Sequence, residues 1–336
     1  MSPKNLSKET RVARKKNHTF KEICRALNAH HSFLVCTHVN PDPDAVASQC
    51  AMVQILRHLG KKVVAVSPEP IPKRFHFLPG ARQIRLAASI KNWDLDMAII
   101  LDCGDFSRIG AVQGLLSQRT VLMNIDHHVT NSFFGKYNCV VPKSSSTAEL
   151  LYDLLAHIPC PLTKVLAQLL YTGILTDTGC FRYDNTTSHT HEVASRLLAF
   201  VVSSNKLYIK LYESIPLEDL KNFNKLVSSF ERYFDNKVVC LVLSQSELKR
   251  FSEEFDLRDR IFRHFRAIKD VEVIVILTVE KKDLIRVNFR SLSRVNVAWL
   301  AYHFQGGGHS RASGCLVKGD LKNTKERVLQ EIKKVI

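Results

Sequence analysis

Six side chains able to hold a metal ion are spread over four separate segments of this chain. His38, Asp42 and Asp44 lie in Thr37-His38-Val39-Asn40-Pro41-Asp42-Pro43-Asp44. Asp102 follows Leu101, His127 sits in Asp126-His127-His128, and Asp177 lies in Leu175-Thr176-Asp177-Thr178-Gly179. Four carboxylates and two imidazoles offer hard oxygen and borderline nitrogen ligands. That mix suits octahedral Mn²⁺ or Mg²⁺ better than structural zinc, which favours thiolates. Gathered at one point, the four aspartates would sum to −4. Two divalent cations neutralise that charge; without metal the carboxylates repel or protonate. Two such ions about 3.5–4 Å apart can share a bridging hydroxide and clamp both oxygens of an in-line phosphoryl displacement. Asp102 is the candidate bridging carboxylate, and a hydrolase is the leading reading.

Positioning these groups requires elements that end where they stand. Apolar runs over 33–37, 63–66, 97–101 and 120–125 read as strands. Residues 45–59 have helical periodicity and stop at Gly60. Ser146-Thr147-Ala148-Glu149 has capping-box spacing and opens a helix to about residue 157. A further apolar helix over 163–175 delivers Asp177. Strands separated by helices imply βαβ units and a mostly parallel sheet, whose ligands bind beyond the carboxyl ends of the strands. His38/Asp42/Asp44, Asp102 and Asp126/His127/His128 all stand at such ends. After a helical, polar stretch over 190–215 a second α/β pattern begins. Residues 217–234 read as a helix, while 238–243, 271–279 and 284–289 read as strands. The fold class expected is therefore α/β with two domains. The N-terminal one is a mostly parallel sheet with helices on both faces, the smaller C-terminal one is α/β, and the active site lies in a cleft between them. The division is 1–18 a basic disordered arm, 19–200 the catalytic domain, 201–216 a helical linker and 217–336 a substrate-binding domain.

Composition bounds the rest. The 336 residues are 45% hydrophobic and 24% charged, as in an ordinary globular protein. No apolar run approaches the roughly 18–20 residues that span a bilayer, and the N-terminus opens on a basic, polar stretch rather than an apolar signal region. A cytoplasmic location without membrane association is expected. Nine cysteines, odd in number and without a Cys-x-x-Cys pair, read as reduced buried thiols. The net charge of +16 favours polyanionic partners such as nucleotides or RNA. Gly306-Gly307-Gly308 offers backbone freedom and N–H groups that can approach a phosphate. His309 and Arg311 follow it, Arg290 lies on the preceding strand, and arginine grips phosphate oxygens in a bidentate fork. Arg108, just past Asp102, reads either as a substrate contact or as a surface ion pair.

The segments His38-Val39-Asn40-Pro41-Asp42-Pro43-Asp44-Ala45, Asp102, Asp126-His127-His128 and Asp177-Thr178-Gly179 resemble the four motifs of the DHH phosphoesterases. Phe289-Arg290-Ser291 and Gly306-Gly307-Gly308-His309-Ser310-Arg311-Ala312-Ser313-Gly314 resemble the DHH-associated C-terminal domain. The likeness runs over about residues 20–330. It implies that His38, Asp42 and Asp102 hold one metal and that Asp44, Asp102, His127 and Asp177 hold the other. It further implies that Asp126 supports the ligands and that His128 faces the substrate phosphate, as general acid or electrostatic stabiliser beside Asp102. Arg290, Ser291, Gly306, Gly307, Gly308, His309, Arg311 and Arg108 become substrate-binding candidates. Two departures stand out: Pro43 separates the two aspartates where the family usually has glycine, and Ala47 stands where glycine is common.

Within that family the chain resembles the compact two-domain NrnA type. It is too short for the added OB-fold of RecJ-type exonucleases and lacks the transmembrane segments of membrane-bound cyclic-dinucleotide phosphodiesterases. It carries the Gly-Gly-Gly-His segment that family-II pyrophosphatases lack. The resemblance implies two divalent ions, Mn²⁺ before Mg²⁺ or Co²⁺. The implied activity is hydrolysis of short RNA oligonucleotides to mononucleotides, removal of the 3′-phosphate from 3′-phosphoadenosine 5′-phosphate, or both. Alternatives are cleavage of linear dinucleotides such as pApA, RecJ-like single-strand exonuclease activity and, from another class, RNA binding without catalysis. Short RNA or DNA oligonucleotides and small nucleotides are the implied partners, and a homodimer is left open.

Overall fold

The computed structural model describes residues 16–91, 94–200 and 202–336. These form two compact units, the first ending at Leu211 and the second running over 212–336.

In the first unit, helix α1 (Phe20–Ala29) leads to strand β1 (Ser32–Cys36), helix α2 (Pro43–His58), β2 (Lys62–Ser67), the short β3 (Arg85–Leu86), β4 (Met97–Leu101), β5 (Val121–Asp126) and β6 (Tyr137–Val140). Helices α3 (Thr147–Leu155), α4 (Lys164–Asp177), α5 (Ser188–Leu198) and α6 (Ser204–Tyr208) follow. The strands form one sheet in the order β3-β2-β1-β4-β5-β6, and every pairing is parallel. Every residue of β1 and of β4 is buried, as expected of parallel strands covered on both faces. Phe33, Val35, Ile99 and Ile125 pack against the α-helices. Leu34, Ile100 and Val66 pack on the other face against 3₁₀ segments Ala87–Ser89 and Phe106–Leu115. With both faces apolar, carboxylates are left to the strand ends.

The basic arm expected over 1–18 lies outside the described residues up to residue 15. Asn17 and His18, by contrast, run along β6: His18 N donates to Asn138 O at 2.6 Å, and Asn17 Nδ2 donates to Val140 O at 2.8 Å. Nine cysteines are free, seven of them buried. Cys103, next to a ligand candidate, donates its thiol to Asp105 O, and burial pushes that thiol up to about 12. Burial thus favours the protonated thiol.

The second unit holds α7 (Leu217–Val227), β7 (Glu231–Tyr233), β8 (Val238–Leu243), α8 (Gln245–Leu248), α9 (Leu257–Phe265), β9 (Val273–Lys281) and β10 (Leu284–Ser291). Then come α10 (Val297–His303), β11 (Gly307–His309), β12 (Ala312–Lys318) and α11 (Leu321–Lys333). The sheet order is β11-β12-β10-β9-β8-β7, mixed, with only β8 and β9 parallel. The single helix expected over 217–234 is wrong: α7 stops at Val227 and β7 follows. Ser228 and Ser229 turn their hydroxyls back on Lys225 O and Leu226 O, satisfying carbonyls at the helix end and closing it. Helix α9 packs Leu257, Ile261 and Phe265 on one face of the sheet, while Val297, Leu300, Val328 and Ile332 of α10 and α11 cover the other.

Candidate metal centre

Local chain geometry places each ligand candidate. Beyond β1 the chain turns through Asn40, at φ 53°, so that Asp42 becomes the N-cap of α2 and its Oδ1 accepts from Ala45 N at 2.9 Å. Pro43 is then the first helical residue. There its missing N–H is no loss and its fixed φ suits the helix, which accounts for a proline between two aspartates. Asp44, one residue on and buried, accepts from Ser48 Oγ (3.2 Å), Thr147 N (2.8 Å) and Ala148 N (3.1 Å). The last two are free N–H groups at the start of α3, where the helix dipole favours a carboxylate. Asp102 leaves β4 in a left-handed conformation, φ 53°, tied by its N–H to Ile125 O. Asp126 ends β5, and Asp177 is the last residue of α4 rather than lying beyond it.

These residues converge. Asp102 faces two ways: Oδ2 is 3.6 Å from His38 Nε2, and Oδ1 is 3.5 Å from His127 Nε2. His127 Nε2 is also 3.4 Å from Asp177 Oδ2. Donor atoms of His38, Asp42 and Asp102 lie within 4.8 Å of one another, as do those of Asp44, His127 and Asp177 and those of Asp102, His127 and His128. Both ligand imidazoles turn Nε2 to the cluster. His38 Nδ1 is 2.8 Å from Val39 O, and His127 Nδ1 is 3.3 Å from Ser144 O, the arrangement that fixes a metal-binding tautomer. Arg108 places a guanidinium nitrogen 3.2 Å from His38 Nδ1. With that nitrogen's hydrogen given to Val39, Arg108 supplies charge beside the ring.

The donor set fits a cation. Octahedral ligands at about 2.1 Å stand about 3 Å apart when adjacent, and the 3.4–3.6 Å separations here are near that and longer than direct hydrogen bonds. Proton sharing leaves the charge unrelieved. Burial disfavours the charged form of Asp102, yet His127 and His38 outweigh it and hold the carboxyl well below the usual range. Burial, then the charges of Asp102 and Asp177, push Asp44 well above that range. Burial is the main cause of Asp177 rising to about 7. Burial works against the charge on His127, but Asp102 and Asp177 lift it well above an ordinary histidine. Divalent ions relieve this conflict, since they replace like-charge repulsion with ligation.

A second ring holds the first. Asp126 Oδ1 is 2.6 Å from His128 Nδ1, while its Oδ2 accepts from Asn131 Nδ2 at 2.6 Å. Asn131 also bonds Asn124 Oδ1, and Thr147 Oγ1 donates to Asp102 Oδ1 at 3.0 Å. Asn124, Asn131, Thr147 and Gly173 were not singled out from sequence. Gly173, inside α4, carried a signal as a glycine in a helix interior. A Cβ there would lie 2.2 Å from Asp44 Oδ1.

In the second unit Arg290 is exposed on β10 with its guanidinium 4.7 Å from the Phe262 ring centre. Ser291 is buried, and Arg311 Nη1 reaches its hydroxyl at 3.4 Å. The glycines divide. Gly306 and Gly308 are required by packing, because a Cβ would meet Gly314 O at 2.3 Å and Ala312 O at 2.5 Å respectively. Gly307 faces open space within 4 Å. His309 ends β11, paired with Ala312.

Residues 32–174 match the model of the DHH family, N-terminal domain, and residues 258–336 match that of the DHHA1 domain. A bifunctional oligoribonuclease and PAP phosphatase NrnA from Thermus thermophilus is 29% identical over 320 residues, covering 93% of this chain and 92% of that protein. Its namesake from Bacillus subtilis is 29% identical over 302 residues, covering 88% and 92%. The crystal structure of an exopolyphosphatase-related protein from Bacteroides fragilis shares the fold, with TM-score 0.86 and 24% identity over 94% of this chain and 96% of that one. The two domain models fall one on each compact unit, and the first contains five of the six ligand candidates as well as Asp126 and His128. The chain thus carries a DHH-family N-terminal domain and a DHHA1 domain, and is a hydrolase of phosphoester bonds.

Proposed function

We propose that this protein hydrolyses short RNA oligonucleotides to mononucleotides and removes the 3′-phosphate of 3′-phosphoadenosine 5′-phosphate, using two Mn²⁺ ions. The observation that carries the two-ion reading is Asp102, whose carboxylate oxygens each face a different histidine. His38, Asp42 and Asp102 would hold one ion; Asp44, Asp102, His127 and Asp177 would hold the other. When bound, such ions act as Lewis acids that stabilise charge developing on the phosphoryl oxygens. The substrate reading rests on relatives of matching length that bear both activities in their names.

The chain's own groups do the rest. Asp126 accepts the Nδ1 hydrogen of His128 and so directs Nε2 outward. Burial opposes a charge on His128, but Asp126 and Asp102 raise it above an ordinary histidine. Nε2 is then the ring atom placed to pass a proton to a leaving oxygen. Arg108, exposed beside His38, adds positive charge where a phosphate would approach. In the second unit, Arg290, Arg311 and the open Gly307 offer a guanidinium pair and a bare backbone to a phosphate.

One assay decides. Turnover of two- to five-residue RNA, long single-stranded DNA, 3′-phosphoadenosine 5′-phosphate and linear diadenylate is compared in Mn²⁺. Short RNA and the 3′-phosphate substrate should turn over fastest. Preference for diadenylate or long DNA would reassign the substrate, and no hydrolysis with any divalent ion would sink the reading.

A further inference from the structure

Helix α10 carries the reverse of an ordinary surface pattern. Val297, Leu300 and Ala301 are buried against β10, β12 and α11. Its outer face should then be polar. Instead it presents Trp299, 64% exposed, and Tyr302, 76% exposed, with His303 beside them. At 100° per residue these three positions share one outward stripe. The Trp299 and His303 rings are 6.1 Å apart, and His303 Nδ1 is tied to Trp299 O at 2.8 Å, which holds that ring against the stripe. Burying a large aromatic stabilises a fold by a few kcal/mol, so two left in water on one short helix are not there for folding.

The surroundings are basic apart from Glu331 of α11, whose carboxylate lies 3.9 Å from His303 Nε2. The turn carrying Ser310 and Arg311 abuts the first turn of α10 through Val297 N to Ser310 O. Arg327 of α11 lies over Phe304, just past its end, 5.5 Å from the ring centre. From residue 290 to the C-terminus there are nine lysines and arginines against three acidic residues. Exposed aromatic rings amid lysine and arginine are the pattern by which single-stranded nucleic acid is held: bases stack on rings while cations track the backbone. The stripe also stands apart from Arg290, although the Gly306–Arg311 segment adjoins α10. Arg290 and Asn288 point to the sheet face that carries α9, whereas α10 covers the opposite face.

We infer that Trp299 and Tyr302 form an accessory stacking platform for unpaired RNA bases, on the side of the sheet opposite Arg290. This deepens the nucleotide reading proposed above and rests on it for the choice of RNA. Stacking is tolerant of base identity, so the platform adds affinity for single strands without sequence preference. A single nucleotide already occupied at the metal centre gains nothing from it.

The test uses the full chain in metal-free buffer, where RNA is not consumed. Trp93→Phe leaves Trp299 as the sole indole, since the chain has two tryptophans. Oligoadenylate hexamer should quench that fluorescence at the concentrations at which the anisotropy of a labelled hexamer reports binding. Trp299→Ala with Tyr302→Ala should weaken hexamer binding about ten-fold or more, while turnover of 3′-phosphoadenosine 5′-phosphate in Mn²⁺ stays unchanged and shows the protein folded. Trp299→Phe should recover most of the affinity. Hexamer binding with no quenching, or with no loss in the double variant, overturns the platform. So does a concentration-dependent dimer that the double variant abolishes without weakening RNA binding, which would make the stripe a contact between copies. The hydrolytic reading fails separately, if no substrate turns over while quenching persists.

Discussion

The two sheets of this molecule solve opposite problems. In the first unit the strands are parallel and buried on both faces, so a carboxylate can survive only where a strand ends. Asp102 and Asp126 stand at such ends. In the second unit β10 alternates, with Ile285, Val287 and Phe289 packed under α10 and α11 and Arg286, Asn288 and Arg290 on the other face, so polar groups recur along the strand. A parallel sheet therefore concentrates chemistry at one edge, whereas a mixed sheet spreads binding groups over a face. Metal chemistry, which needs several ligands at one point, suits the first; gripping an extended polyanion suits the second.

The largest expected effect separates these roles. Asp102→Ala removes an oxygen from both proposed ligand sets and should lower turnover about a thousand-fold or more, with circular dichroism unchanged. Arg290→Ala should instead raise KM about ten-fold at nearly constant kcat. A fall in kcat with unchanged KM for Arg290→Ala would erase the distinction between a chemical sheet and a binding sheet.

Glycine substitutions sharpen the contrast at the next level. Gly173→Ala drives a Cβ to 2.2 Å from Asp44 Oδ1 and 2.5 Å from Ala148 Cβ. It should cost about 1–3 kcal/mol of stability and weaken Mn²⁺ binding, both readable by calorimetry. Gly306→Ala pushes into Gly314 O and Cys315 Cβ at 2.3 and 2.4 Å and should destabilise the β11–β12 hairpin by a similar amount, about 1–3 kcal/mol. Gly307→Ala meets nothing within 4 Å and should leave the urea midpoint within about 0.5 kcal/mol of the parent. Any loss of substrate affinity in Gly307→Ala then reports a ligand lying against that backbone. Equal destabilisation by Gly306→Ala and Gly307→Ala would contradict the division drawn between them.

The same contrast governs what the sequence revealed. Continuous apolar runs such as Met97–Leu101 announce a parallel strand and its end, so the parallel sheet and the loops that carry the Asp/His cluster could be read directly. Pro43 was opaque because its role depends on Asp42 acting as a helix cap, a relation that exists only once α2 has formed. Thr147 and Ala148 were missed as partners of Asp44 because they act through backbone N–H groups, which any residue supplies. In the second unit α9 and α11 were overlooked. Their outward faces are densely charged, as in Leu257-Arg258-Asp259-Arg260-Ile261-Phe262-Arg263, and a narrow apolar stripe is easily lost among charges. The boundary between α7 and β7 was lost for a related reason: Phe230 and Tyr233 continue an apolar spacing that a helix and a following strand can share.

The smallest effect compares how each unit anchors a carboxylate. Asp96, before β4, accepts from the backbone N–H groups of His31 (2.9 Å) and Ser32 (3.0 Å), and these hold its carboxyl below the usual range. Glu272, before β9, is held down by Lys237 at 3.0 Å and by Ser293 at 2.8 Å. Because each folded value is lowered, its contribution is full above the ordinary carboxylate range and is lost as pH falls through the folded value. Asp96→Asn should therefore cost about 1 kcal/mol at pH 7, with the gap to the parent narrowing below pH about 4. Glu272→Gln should cost about 0.5 kcal/mol, since its strongest partner is a solvent-facing lysine. Added salt distinguishes them, because it screens the lysine pair and leaves backbone donors in place. Urea midpoints at low and high salt should show the Glu272 difference shrinking while the Asp96 difference holds. If both shrink alike, the backbone anchor of the parallel sheet is no sturdier than the side-chain anchor of the mixed one.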